Sequence, residues 1–537
     1  MARIRFPGPR RPLAVVAVAA LAVVALALVV LAVGTLAFQA RSAHKAETPA
    51  APAQTPASDP YRPAFHNAPA AHWMNDPQRP ILIDGVWHAY YLYNADYPHG
   101  NGTSWRHMTS TDLVHWKDEG TAIEKFANGL GDVETGSVVV DVDGSAGFGK
   151  GALVAVVTQQ LDGVQRQSLF ASTDGGRSFA SYGGNPIMPN PGAKDWRDPK
   201  IIRDDAHGQW VMALAEGHKI GFYTSKDLRA WSYASGFETQ DLGVLECPDL
   251  FELNLDGDPQ RPRWVLMAGA NGAAEGRTTG TAYWTGAWDG TRFVPDASDG
   301  RHQWADDGPD LYAAVTWDDP RLSPVDRLDS RYLMGWMNNW AYAGGLPTGD
   351  WAGADSIVRT VRLKTVDGAA RLTSEPVPAI AASGGSPRQL SGTVIEQAQP
   401  GAGAFALDAE LERAPSEGTE ASIQLASDGR VYATVGYDFG AGRVFVERGQ
   451  DAFARSPSSS ALSSAEATYR AARAATGAPG AQRVRLRVYV DRSSVEVFVD
   501  DGSRSLTALT FAPPGARSVR IQAPHGSVSL WPTALGP

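Results

Sequence analysis

The sequence predicts an all-β protein: a five-bladed β-propeller followed by a C-terminal β-sandwich. Three observations carry this. From Tyr61 to about residue 372, short apolar and aromatic runs such as "VWHAYYLYN", "SVVVDV", "ALVAVVTQQ" and "WVMALAEG" are separated by Gly, Asp and Asn turns. No amphipathic helical pattern of useful length interrupts them. Within this region "TSTDLVHW" (Thr109–Trp116), "STDGGRSF" (Ser172–Phe179) and "TSKDLRAW" (Thr224–Trp231) echo one another, with Asp112, Asp174 and Asp227 spaced 62 and 53 residues apart. Beyond about Pro387 the pattern changes to strict alternation, as in "RVRLRVYV".

The echo suits a four-stranded blade with long loops, and its spacing divides the region into about five. Ser/Thr–Asp turns recur in β proteins generally, but three copies at similar intervals weigh against coincidence. In the C-terminal part Val484, Leu486, Val488 and Val490 alternate with Arg483, Arg485 and Arg487, and "SVEVFVDDG" follows with Val495, Val497 and Val499. That is an antiparallel pattern with one wet face, as in a sandwich, interrupted by the low-complexity stretch Ser456–Ala467.

Ahead of these regions, Arg3, Arg5, Arg10 and Arg11 precede an uncharged apolar run of 26 residues, Leu13–Phe38. A secretory signal has an apolar core of ~7–15 residues and a spanning helix needs ~20, so the length favours a signal anchor. Small residues in "FQARSA" keep a cleaved signal open. Either route places the bulk of the chain outside the cytoplasm. Ala46–Pro60, "AETPAAPAQTPASDP", reads as a flexible tether. The expected division is therefore residues 1–45 for signal or anchor, 46–60 for linker, 61–375 for propeller and 386–537 for sandwich.

A net charge of -10 argues against a nucleic-acid surface. The single cysteine, Cys247, excludes an intrachain disulfide framework and a Cys-based zinc cluster. The 16 Trp, 16 Tyr and 17 Phe suit a β-rich core, and aromatics on loops also suit sugar binding. His88, His107 and His115 show no metal spacing, and neither metal nor cofactor is expected.

Three acids stand in unusual contexts: Asp76 in "MNDPQ", Asp198 in "WRDPK" and Glu246 in "LECPD". Proline follows each aspartate directly and the glutamate two positions on, so a stiff backbone aims each carboxylate. Trp73, Met74, Trp196 and Leu245 are apolar neighbours that would partly desolvate them. Alone, an Asp–Pro pair is usually a turn. On three blades of one propeller, the acids would converge near its axis. Two carboxyl groups ~5–5.5 Å apart suit retaining glycoside hydrolysis, one attacking the sugar and the other protonating the leaving oxygen.

The blocks "WMNDP", "RDPK" and "ECPD", in that order, resemble those of glycoside hydrolase family 32, the β-fructofuranosidases that include invertases, inulinases and levanases. "ETGSVVVD", "GWMNNWAYAGGLPT" and "DRSSVEVFVDDG" extend the resemblance from about Tyr61 to the end. The resemblance implies a five-bladed propeller plus sandwich. It implies Asp76 as nucleophile, Glu246 as general acid and then base, and Asp198 as the residue that binds fructose hydroxyls. It also implies a pocket lined by Asn75, Trp105, Ser137, Arg197 and Trp340.

This chain departs from the pattern at Gln78–Pro80, at Leu92 and at Glu134–Thr135, where an aromatic residue and Ser are usual. The first two variants resemble the levan-acting branch and point to β-2,6 fructan. Inulinase or invertase action, levan fructosyl transfer to a difructose anhydride, an arabinan-acting propeller and a catalytically dead fructan-binding protein are the alternatives. Retention of all three acids opposes the last. A thiol nucleophile at Cys247 is disfavoured against an inert packed thiol.

Overall fold

The computed structural model describes residues 59–537 apart from 298–299, 383–387, 399–403, 414–418, 450–470, 477–480, 501 and 532–537. The apolar run Leu13–Phe38, the tether up to residue 58 and the stretch Ser456–Ala467 lie outside the described residues. Among the described residues no helix is long and apolar enough to cross a membrane.

Five antiparallel sheets follow one another along the chain. The first holds His72–Ile83, Val86–Asn94, Ser104–Ser110 and Lys117–Ile123. The second holds Asp132–Asp141, Ala152–Leu161, Val164–Ser172 and Ala180–Ser181. The third holds Arg197–Asp204, Gln209–Glu216, Lys219–Ser225 and Ser232–Glu238. Glu246–Asn254, Pro262–Ala270 and Gly280–Trp288 lead the fourth, and Tyr312–Trp317, Arg331–Trp336, Arg359–Val366 and Ala369–Pro376 make the fifth. The first strands of consecutive sheets touch in order, and that of the fifth touches that of the first. Trp351–Ala352 pairs in parallel with His72–Trp73, tying late chain to the opening strand.

Period-two alternation explains the stacking of these sheets. Along Ala152–Leu161, Leu153, Ala155 and Val157 pack toward the first sheet, against Tyr90, Leu92 and Trp105. Val154 and Val156 pack the other way, against Ile201, Trp210 and Met212 of the third. Such a strand is buried on both faces, which is why it reads as a continuous apolar run rather than an alternating one.

The echo in the sequence is one turn repeated. Asp112, Asp174 and Asp227 each follow the third strand of their sheet. Each accepts a hydrogen bond from the preceding Ser110, Ser172 or Ser225 hydroxyl, and from backbone amides two to four residues on. A fourth copy exists at Asp289, which accepts from the amides of Thr291 and Arg292. Ala287 stands there in place of the serine, which hid the copy from a sequence comparison.

The C-terminal part forms a ten-stranded sheet in which the long strand Arg517–Trp531 pairs with Glu420–Ser427 at one end and Phe405–Glu412 at the other. Val484, Leu486, Val488 and Val490 enter its core with Val495, Val497 and Val499, as the alternation predicts. The expectation of one wet face fails for Ser494–Val499, all six of whose residues are buried. Phe498 packs with Trp87 and Met334 of the preceding sheets. Glu496 accepts hydrogen bonds from Arg359 and from His66 Nε2, whose Nδ1 lies 2.8 Å from Asp491. Arg359, wholly buried, also donates to Asp306 at 2.8 Å. The outward face of this strand is thus a charged, dry contact with the rest of the molecule.

Candidate active site

In each of the five sheets the first strand loses register near its start. The breaks fall between Asn75 and Pro77, between Val133 and Gly136, opposite Ala213–Ala215 at Asp198, between Glu246 and Asp249, and between Tyr312 and Val315. Asp76, Asp198, Cys247 and Ala313 sit at four of these breaks with φ of 30°, 64°, 47° and 48°. A β-bulge re-aims the residues it carries, and non-glycine residues at positive φ mark strain held for a purpose. Glu246 therefore precedes its bulge, as Asn75 and Arg197 do, while Cys247 occupies the place equivalent to Asp76 and Asp198.

These bulges bring the three acids to one cavity of about 460 Å³, lined among others by Trp73, Asn75, Asp76, Glu134, Thr135, Arg197, Asp198, Glu246 and Trp340. Asp76 is buried; its Oδ1 accepts from Asn75 at 3.0 Å and its Oδ2 from the Thr135 hydroxyl at 2.6 Å. Gln78 braces the bulge, donating to the Asp76 carbonyl at 2.8 Å and accepting from the Gly136 amide at 3.0 Å. Gly136 must be glycine, because a Cβ there would stand 2.2 Å from the Val156 carbonyl oxygen.

Asp198 Oδ2 accepts from the Cys247 amide at 3.0 Å, and the Cys247 thiol lies 3.5 Å from Asp76 Oδ2 and 3.7 Å from Asp198 Oδ2. Arg197 donates through Nε and Nη2 to Glu246 Oε1, at 3.1 and 2.9 Å, and through Nη1 to Asp195. The Tyr312 hydroxyl donates to Glu246 Oε2.

Burial and the nearby Glu246 charge push the Asp76 carboxyl above the usual carboxylate range, against the hydrogen bonds from Thr135 and Asn75. Burial, with Glu246 and Asp76 as like-charged neighbours, raises Asp198 to about 7 although Arg197 opposes it. Burial also raises Glu134, to about 8, with Asp198, Asp132 and Asp76 adding to it. Close carboxyl groups in a shared, partly desolvated pocket disfavour one another's ionisation, so Asp198 and Glu134 keep their protons to higher pH than ordinary carboxylates do. The Cys247 thiol is driven up by burial and by the same acids, which leaves it an inert hydrogen-bonding group.

Of the expected pocket residues, Asn75, Arg197 and Trp340 line the cavity. Trp340 is half-exposed and stacks on Trp73, with ring centroids 6.1 Å apart. Trp105 and Ser137 stand behind the wall instead. The Trp105 indole donates to the Glu134 carbonyl at 2.9 Å. The Ser137 hydroxyl donates to the Pro199 carbonyl and accepts from the Ile201 amide, clasping the strand that carries Asp198. Thr135, Gln165 and Tyr312 contact the acids or Arg197, and no motif reading singled out such roles for them. Thr135 had drawn notice only as a departure from a familiar block.

Residues 66–376 match the Glycosyl hydrolases family 32 N-terminal domain, and residues 380–533 match the Glycosyl hydrolases family 32 C terminal. The chain belongs to glycosyl hydrolase family 32. This family 32 chain is 40% identical over 477 residues to a levanbiose-producing levanase of Bacillus subtilis, covering 88% of this chain and 89% of that protein. It is 51% identical over 309 residues to a levanbiose-producing levanase of Geobacillus stearothermophilus, covering 57% and 77% of the two chains. The crystal structure of an exo-inulinase from Aspergillus awamori superposes with a TM-score of 0.77 at 30% identity, covering 88% of this chain and 98% of that one.

Proposed function

We propose that this family 32 protein is an extracytoplasmic levanase that cleaves β-2,6-linked fructan with retention, through a fructosyl-enzyme. One observation carries the reading: Asp76, Asp198 and Glu246, from three different sheets, face a single cavity. Asp76 attacks the anomeric carbon of the fructosyl unit. Its carboxylate is desolvated yet held by Asn75 and Thr135, which suits a nucleophile. Glu246, aimed by Arg197 and Tyr312, gives a proton to the departing oxygen and then takes one from the water that releases the enzyme-bound sugar. Asp198, fixed by the Cys247 amide, grips the fructose hydroxyls as positive charge develops on the ring. The displacement asks for no cofactor.

Levan, and the disaccharide as product, are favoured by the names of the two bacterial relatives and by the Gln78 and Leu92 variants. The ring of first-strand contacts and the face-to-face packing of successive sheets support a five-bladed propeller over residues 61–375, with a β-sandwich over 386–537. The Arg cluster and apolar run support an N-terminal signal or anchor over residues 1–45. Incubating the chain from Tyr61 onward with levan, inulin and sucrose separately, with products identified by chromatography and NMR, tests the reading. Levanbiose from levan, first appearing in the substrate's anomeric configuration, is expected. No turnover of any of the three, or inverted product, ends it.

A further inference from the structure

Glu134 belongs to none of the three acidic blocks, yet it reaches the same cavity. It sits in the register break of the second sheet's first strand, between Val133 and Gly136, and lines the pocket beside Asp76, Arg197 and Asp198. Gln165, itself buried, holds it in place. The Gln165 amide donates to Glu134 Oε2 at 3.3 Å, while its carbonyl oxygen accepts from the Trp196 amide at 2.9 Å and from Arg197 Nη1 at 3.4 Å. Arg197 in turn grips Glu246, so a continuous chain of bonds runs from Glu134 to the proposed acid. Glu134 Oε1 takes no hydrogen bond from any described residue. Glu134 is half-buried in the cavity wall, with one oxygen tethered by Gln165 and the other left free to meet a sugar group in the cavity.

We infer that Glu134 contacts the substrate as a neutral carboxylic acid, donating its O–H to a hydroxyl of the fructosyl unit that Asp198 grips. This rests on the fructanase reading above. The charges around it explain the protonation. Asp132 comes from its own strand, Asp76 from the first sheet, and Asp198 and Arg197 from the third, with Glu246 of the fourth sheet beyond Arg197. Partial burial, with the like charges of Asp198, Asp132 and Asp76 added and Arg197 opposing, keeps the proton on Glu134 up to about pH 8. Gln165 already donates to Oε2, which leaves Oε1 to carry the proton toward the cavity. An ordinary family member with an aromatic residue there has no such donor, so Glu134 is a specificity-determining departure and not a structural one.

The test compares wild type with Glu134→Gln and Glu134→Leu on levan, and measures fructose as a competitive inhibitor from pH 6 to 9.5. In wild type the fructose inhibition constant should rise about tenfold between pH 7.5 and 9.5 as the donor is lost. Glu134→Gln, whose amide cannot lose its proton in this range, should lack that rise. Glu134→Leu should raise KM on levan about tenfold to a hundredfold at pH 6, with Glu134→Gln recovering most of the loss. An equal alkaline rise in wild type and Glu134→Gln, or an unchanged KM in Glu134→Leu, overturns the inference. If wild type itself cleaves no fructan, it is the broader reading that fails.

Discussion

His66 offers the deepest test of how the two parts of the molecule hold together. Both its ring nitrogens lie 2.8 Å from carboxylate oxygens, Nδ1 from Asp491 and Nε2 from Glu496. Carboxylates only accept, so both nitrogens donate and the ring is an imidazolium. Burial alone would lower its pKa, but the two carboxylates outweigh it and raise the value from 6.5 to about 9. At roughly 1.4 kcal/mol per pKa unit, the charged ring contributes about 3 kcal/mol. The folded value lies above the unfolded one, so this contribution is complete below about pH 6.5 and fades as pH rises through about 9. Asp491 and Glu496 are both held below their ordinary values and stay ionised across that window.

His66→Gln removes the titrating group but keeps a donor. Guanidinium unfolding of both proteins at pH 6, 7.5 and 9.5 should show wild type ahead by a margin that shrinks by about 3 kcal/mol toward alkaline pH. A margin constant across the range refutes the imidazolium. Other titrations, such as that of Lys200, occur equally in both proteins and cancel.

Further outcomes follow from the same physical reasoning. Asp76→Asn and Glu246→Gln should each lower fructan turnover by about a thousandfold or more with unchanged circular dichroism; retained activity in either reassigns the roles. Asp198→Asn should abolish turnover yet gain about 2 kcal/mol in stability at pH 7.5. Its carboxyl is held at about 7, so ionising it in the fold is costly above the ordinary carboxylate range, and a loss of stability would contradict this. Arg359→Met should cost about 3–5 kcal/mol, because Asp306 and Glu496 are left buried with their main cation gone; a thermal midpoint like wild type's would deny that the cluster bears on folding.

Much of the active site was legible because proline and acid lie side by side. Asp76–Pro77 and Asp198–Pro199 announce a stiff turn in the backbone, and in the fold both sit at a bulge. Glu246 was found by the same logic, although its bulge residue is Cys247, so its carboxylate is aimed from the position before. Thr135, Gln165 and Tyr312 were not legible as partners of the acids. Each is an ordinary strand residue whose partner lies in another sheet, tens of residues away. Trp105 and Ser137 carried the family pattern but stand behind the wall, since pattern records position along a strand and not depth.

Local chemistry decided the strands, the Ser–Asp turns and the placement of the acids at strand starts, because alternation and proline act on immediate neighbours. The alternating Val and Arg of Arg483–Val490 needed no tertiary information to announce a half-buried strand. Ser494–Val499 did, because its polar residues look wet until Arg359 and His66 arrive from the far side. Tertiary structure alone decided which carboxyls share a cavity, which of them keep protons there, and where Glu134 points. Those properties depend on burial and on charges contributed by other sheets, and neither quantity exists until the sheets have packed.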